Sequence, residues 1–427
     1  MSRPSRRSVL AAAGTGFAAA LAGCSDLNPL SGESRVSYDE SALAAIPGDL
    51  PTVPPPIPVQ PTESHLAAAR ERIRSRIEDT DLSRVPNDVV RAKLSRERES
   101  ARTALDGDDA ASRVEVLAGL TYPRSEAMFV DAGLAAFDGE LSAMDVADRR
   151  ERHHANAEAF LADYAYVGPP DDPVGALAEH AHITGWGHDG VRLTRADERH
   201  EYENTVLHVA ELAQDVEWGR AYAADARRLR KHYGSTLDDP HDFAGLFATV
   251  ADALVADVAS FSERPSVESV FGEFERDIEE KPAGEIVVEL VGDRTAAATE
   301  AVSAREDGRV ATAVVAAMRA LVADAALADA SAAIRDGDYA LPASVDPVAA
   351  ERAAAVEALR TLLDAAPAPL ARRLAGYPYN TVENADTEVR EDGETSVRYL
   401  YAEYAVANHF AAAAPAVVER VGRALDA

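Results

Sequence analysis

The chain has 427 residues, a formal charge of −30 and a single cysteine, Cys24. One thiol excludes an internal disulfide and any Cys-ligated metal cluster. The acidic balance, without a basic stripe to neutralise phosphates, excludes nucleic acid as a partner.

The first element in chain order is a targeting segment. "SRRSVL" places Arg6 and Arg7 side by side, and a weakly apolar run of 15 residues follows, from Val9 to Gly23. A spanning helix needs roughly 20 strongly apolar residues, so this run reads as a processed signal. The arginine pair resembles the twin-arginine (Tat) export signal, with Val9 in place of the usual Phe and Ala11 in place of the usual Lys. "LAGC", Leu21 to Cys24, resembles the lipobox of exported lipoproteins. That resemblance implies cleavage before Cys24 and a lipid on its thiol. Residues 1–23 are then the signal, the membrane is a partner through Cys24, and the location is the outer face of the cytoplasmic membrane.

Residues 24–62 read as a tether. Seven prolines fall between Pro47 and Pro61. Polyproline II geometry over that stretch predicts a stiff spacer of about 45 Å.

Residues 63–427 read as an all-α body of long helical hairpins, packed as a bundle or an irregular α-array. Helices are predicted over 63–79, 87–105, 109–136, 140–165, 173–184, 196–233, 241–262, 267–280, 284–304, 308–335, 346–365 and 395–425, the last broken near Pro415. Gly-, Asp- and Pro-rich breaks separate them. "EIVVEL", 285–290, is assigned to buried helix because no partner strand is evident. Over 201–216, Tyr202, Val206, Val209, Ala213 and Val216 share one face, as expected of a surface helix. "FSERPSV", near Pro265, marks a boundary between two lobes.

Only three of the 43 basic residues are lysines, Lys93, Lys231 and Lys281. Acid-rich, Lys-poor, Ala-rich composition resembles proteins of extreme halophiles. At molar salt the Debye length is roughly 3 Å, which screens the self-repulsion of such a surface.

Histidine is unevenly placed: seven of 11 lie within 153–208. Imidazole is the commonest protein ligand for transition metals, so His154, His180, His182, His188 and His208 are candidate ligands of such a metal. "HITGWGHDG", 182–190, reads as a glycine-rich loop in which Trp186 forms an apolar platform beside His182 and His188. Five of 13 tyrosines lie in 377–404, and Tyr377 and Tyr379 are candidate binding residues. The stretch that holds them reads as a polar loop leading into the last helix.

No phosphate-binding loop, nucleophile elbow or dinucleotide fingerprint occurs, and no catalytic residue is assigned. The expectation is a membrane-anchored extracellular scaffold or binding module with a protein or small-ligand partner. The alternative is a metal-binding protein using segment 153–208.

Overall fold

The computed structural model describes residues 38, 40–106, 112–195, 200–263, 265, 267–391 and 396–426. Arg6, Arg7 and Cys24 lie outside the described residues. Residues 39–427 form one compact unit. Of the described residues 76% are helical and 1% extended, an all-α class.

The first family of helices is α1 (Glu40–Ala44), α2 (Glu63–Ile77), α3 (Asp88–Asp106), α4 (Arg113–Gly119), α5 (Thr121–Phe137), α6 (Ala143–Ala162), α7 (Pro173–Leu193) and α8 (Thr205–Gly234). The second is α9 (Ala244–Val258), α10 (Val267–Phe271), α11 (Pro282–Glu306), α12 (Val310–Asp336), α13 (Asp346–Leu363), α14 (Ala368–Glu391) and α15 (Val397–Leu425). One antiparallel pair of two-residue strands, Val167–Gly168 with His241–Asp242, ties the two sets together.

Local chemistry sets the helix starts. Thr62 caps α2 by accepting the His65 N–H, Asn204 caps α8, and Ser142 with Asp145 forms a capping box on α6. Asp172 caps α7, and Pro173 occupies its first position, where no N–H is needed.

Several expected boundaries move. The helix predicted over 109–136 is interrupted at Leu120, and Pro123 lies in the first turn of α5. The helix predicted over 267–280 ends at Phe271. Pro282 opens the next helix, and the residue before a proline is pushed out of the helical region. The last helix runs unbroken through Pro415. Val417, Val418 and Val421 beyond it are buried, so packing holds the turn that lacks one hydrogen bond.

Two larger expectations are corrected. The tyrosine-rich stretch read as a loop is α14. Ala371, Leu374, Ala375, Val382, Ala385 and Val389 are all buried at helical spacing, and the helix continues through Pro378. The Pro-rich 47–61 segment is no free spacer. Ile46 and Ile57 are buried, the Gly48 carbonyl accepts from Arg352 at 2.7 Å, and the Val59 N–H donates to Glu179 at 3.2 Å. It is a strap laid on the body.

The largest core cluster is shared by both helical sets. Ala176, Leu177 and Ala181 of α7 pack with Phe247 of α9, Val314 of α12, Leu374 of α14 and Phe410 of α15. Thr184 bonds Thr312 at 3.1 Å, and the Tyr166 hydroxyl donates to the Gly308 carbonyl at 3.2 Å. Two stretches, 244–262 and 310–336, are long and apolar enough to cross a membrane by composition alone. Here both line this core.

Buried arginine–carboxylate forks brace the helices. Arg352 of α13 clasps Asp386 of α14 through two bonds of 2.8 and 2.6 Å, and the Tyr404 hydroxyl donates to the same carboxylate at 2.7 Å. Asp386 is 1% exposed and Arg352 8%. Removing one member strands the other charge. Asp386→Ala is expected to cost about 3–5 kcal/mol in urea unfolding at molar salt. Asp257→Ala, which breaks the exposed pair with Arg420, is expected to cost less than about 1 kcal/mol.

Candidate functional site

The sequence-predicted metal ligands are placed one by one. His154 of α6 meets Thr194 at 3.1 Å and Glu158 at 3.3 Å. His180 of α7 is fully buried. Its Nε2 bonds the Val167 carbonyl at 2.9 Å and its Nδ1 bonds the Tyr164 hydroxyl at 2.7 Å. Those bonds fit the neutral ring, and burial lowers its pKa to about 4. His182 lies on another face of α7 against Trp186, with ring centres 4.6 Å apart. His188 faces Arg309 and Glu300, while His208 meets His200 edge to face with ring centres 4.7 Å apart. The five rings do not converge. Among the described residues no three His, Cys, Asp or Glu side chains are grouped to hold a metal ion. His180, His182 and His188 all lie on α7 and meet different neighbours.

The glycine-rich loop is corrected. Residues 182–190 are part of α7, which continues to Leu193. The glycines serve close packing rather than a turn. A Cβ on Gly187 would meet Leu161 at 2.8 Å, and one on Gly190 would meet the backbone of Ala223 at 3.0 Å. They let α6 and α8 press against α7.

The candidate binding residues Tyr377 and Tyr379 lie on α14. Tyr377 packs on Phe410 at 4.6 Å with the Arg319 guanidinium 4.5 Å from its ring centre. Tyr377 and Tyr379 both pack against the shared core.

Two other arrangements carry polar chemistry. The first lies where α7, α14 and the strap meet. Glu179 has no exposed surface; its Oε2 accepts from Val59 and its Oε1 has no partner. Burial pushes its pKa up to about 7, against the pull of the Val59 N–H and Arg373. Burial also lowers Arg373 to about 10, opposed by Glu179. His182, one turn from Glu179, lies 3.5 Å from Arg373, and burial with that guanidinium lowers it to about 3. Sequence reading selected His182 and Trp186 but not their partners, which lie 191 residues away in the case of Arg373.

The second is a cleft of about 230 Å³ between α3, α5 and α8. Tyr122 and Trp218 form an edge-to-face corner with ring centres 5.2 Å apart. Lys93 stands opposite, its Nζ 2.7 Å from Glu97 and 5.5 and 5.7 Å from the ring centres of Phe129 and Tyr202. Burial alone would lower this ammonium, yet Glu97 and Tyr202 raise it to about 12. Glu201, Glu211 and Asp215 complete the wall. The Glu211 carboxylate accepts the Glu201 N–H at 2.9 and 3.1 Å, which fixes its place. Sequence reading missed this cleft. The only signals were rarity: Lys93 is one of three lysines and Trp218 one of two tryptophans.

Comparison with known families gives two matches. Residues 64–239 match a family model described as a domain of unknown function (DUF8262), and residues 244–423 match a second (DUF8264). Their junction at 240–243 lies upstream of the break near Pro265. No curated protein and no solved structure matches the chain. The His182–Arg373 contact joins the two matched stretches, while the cleft lies wholly in the first.

Glu179 makes stability depend on pH with a definite sign. Its carboxyl rises from 4.5 to about 7 on folding, so between those values the native state holds more protons than the unfolded one. Its contribution therefore falls as pH rises through that window. His182 drops from 6.5 to about 3, so its contribution rises with pH and opposes Glu179 where the windows overlap. Glu179→Gln is expected to gain stability over the native chain progressively from about pH 4.5 to 7, then hold a constant difference. Urea titrations of both proteins across that range check this; a pH-independent difference counts against it.

Proposed function

We propose that the chain is a membrane-anchored extracellular binding protein of a salt-adapted cell, non-enzymatic, which presents an all-α body and takes a small ligand in the α3–α5–α8 cleft. The observation that carries this reading is the cleft itself: it is open, aromatic on one side and ionic on the other. Binding sites commonly combine an apolar wall with a few placed polar groups. At about 230 Å³ it is small by that standard, which suits a ligand of few atoms.

The anchoring half of the proposal rests on Arg6, Arg7 and Cys24. The docked strap supports an arrangement in which the anchor-side chain is built into the body rather than hung from a stiff rod. The acidic, arginine-rich composition supports life in molar salt.

The reading is tested at both ends. Cys24→Ser is expected to move the protein from the membrane fraction to the soluble or unprocessed pool; unchanged, salt-resistant membrane retention would rule the lipid out. For the cleft, a panel of small neutral and charged solutes is screened by thermal unfolding of the full chain in molar salt. At least one solute is expected to raise Tm in the native chain and to lose that effect in Tyr122→Ala. A panel without any such solute defeats the binding reading.

A further inference from the structure

We infer that the ligand of the α3–α5–α8 cleft is a small organic cation, an ammonium carried on a short apolar body. This rests on the binding reading above and adds the chemical class. Charge complementarity is the first argument. Four carboxylates, Glu97, Glu201, Glu211 and Asp215, share the wall with one ammonium, Lys93. Lys93 is already engaged by Glu97 at 2.7 Å, so it does not set the sign of the cleft.

The aromatic corner is the second argument. Tyr122 is 45% exposed, so its ring is open to a ligand. Trp218 meets it edge to face. Ring faces attract a cation, most strongly where water is partly excluded. The same site supplies a precedent. The Lys93 ammonium is held between a carboxylate and the rings of Phe129 and Tyr202. A ligand ammonium between Glu211 and the Tyr122–Trp218 corner would repeat that arrangement.

The class follows from hydration. Alkali cations hold their water tightly and gain little from aromatic faces. An alkylated ammonium has a weakly hydrated apolar surface that the rings replace. At molar salt the Debye length is roughly 3 Å, so long-range attraction is screened but contact pairing survives. The cleft can then select an organic cation from a large excess of potassium.

Choline is the probe, titrated by calorimetry into the full chain in molar KCl, with its neutral carbon isostere dimethylbutanol as the comparison. Saturable choline binding is expected, weakened about tenfold in Trp218→Leu. It should also weaken in Glu211→Gln, a milder change that decides the matter if the tryptophan variant does not fold. The neutral isostere should not bind. If the isostere binds as well as choline, or if a neutral solute binds where choline does not, charge is not read: this inference falls and the binding reading stands. Choline binding that neither variant alters would place the site elsewhere and overturn the inference. If no solute binds, both fall.

Discussion

The structure depends on buried carboxylates of α8 that are clasped by cations from neighbouring helices. Glu217 and Asp225 both lie on α8, eight residues apart, and both are nearly inaccessible to water. A lone buried charge costs several kcal/mol even after relaxation. Each is therefore clasped from a neighbouring helix. Arg72 of α2 binds Glu217 through bonds of 3.0 and 2.8 Å, and Arg220 adds two more. Burial would raise Glu217, yet these guanidiniums hold it at about 2. His65 of α2 and Arg124 of α5 meet at Asp225 in the same way. Two carboxylates thus fix α2 and α5 around α8.

This explains the use of arginine. A planar guanidinium grips both carboxylate oxygens at once and gives up its water more readily than an ammonium. In molar salt, exposed ion pairs are screened and add little, whereas buried forks are not reached by the screening ions. Interior forks therefore order an acidic chain more than exposed pairs do. Arg352–Asp386 repeats the device between α13 and α14. The half-buried Lys93, with Glu97 and two rings, lies in the cleft, where a compact point charge is suited to an aromatic wall.

The same bracing positions both polar sites. Asp225, through Arg124, ties α8 to α5, the helix whose Tyr122 meets Trp218 of α8. The close approach of α7 to α8 at Gly190 aims Glu179 and His182 away from α8's charged face and toward α14. There the strap closes over them. Because α7 also contributes to the shared core, the two matched stretches are not independent bodies: a change at Glu179 is felt by the strap, by α14 and by the core.

The sequence alone determined the helical class, most helix starts and the composition of the surface. Periodicity is local, so the starts near Glu63 and Pro173 could be read without knowing what they pack against, whereas Asn204, expected inside a helix, caps one. The inner face of 201–216 was legible in the same way, although α8 starts only at Thr205 and adds Leu207 and Ala210 to that face. Tertiary structure decided everything that required two distant segments. It turned 182–190 from loop to helix, because Gly187 and Gly190 were needed for contact with α6 and α8, which no local rule reports. It made α14 a helix through Pro378, because the shared core rewards its buried face more than one missing hydrogen bond costs. It docked the Pro-rich strap, whose extended backbone offers an N–H to Glu179. It dispersed the candidate histidines over α6, α7 and α8, where each ring meets different neighbours. It assembled the cleft from α3, α5 and α8, whose residues are ordinary one at a time and acquire chemistry only when buried forks bring them together.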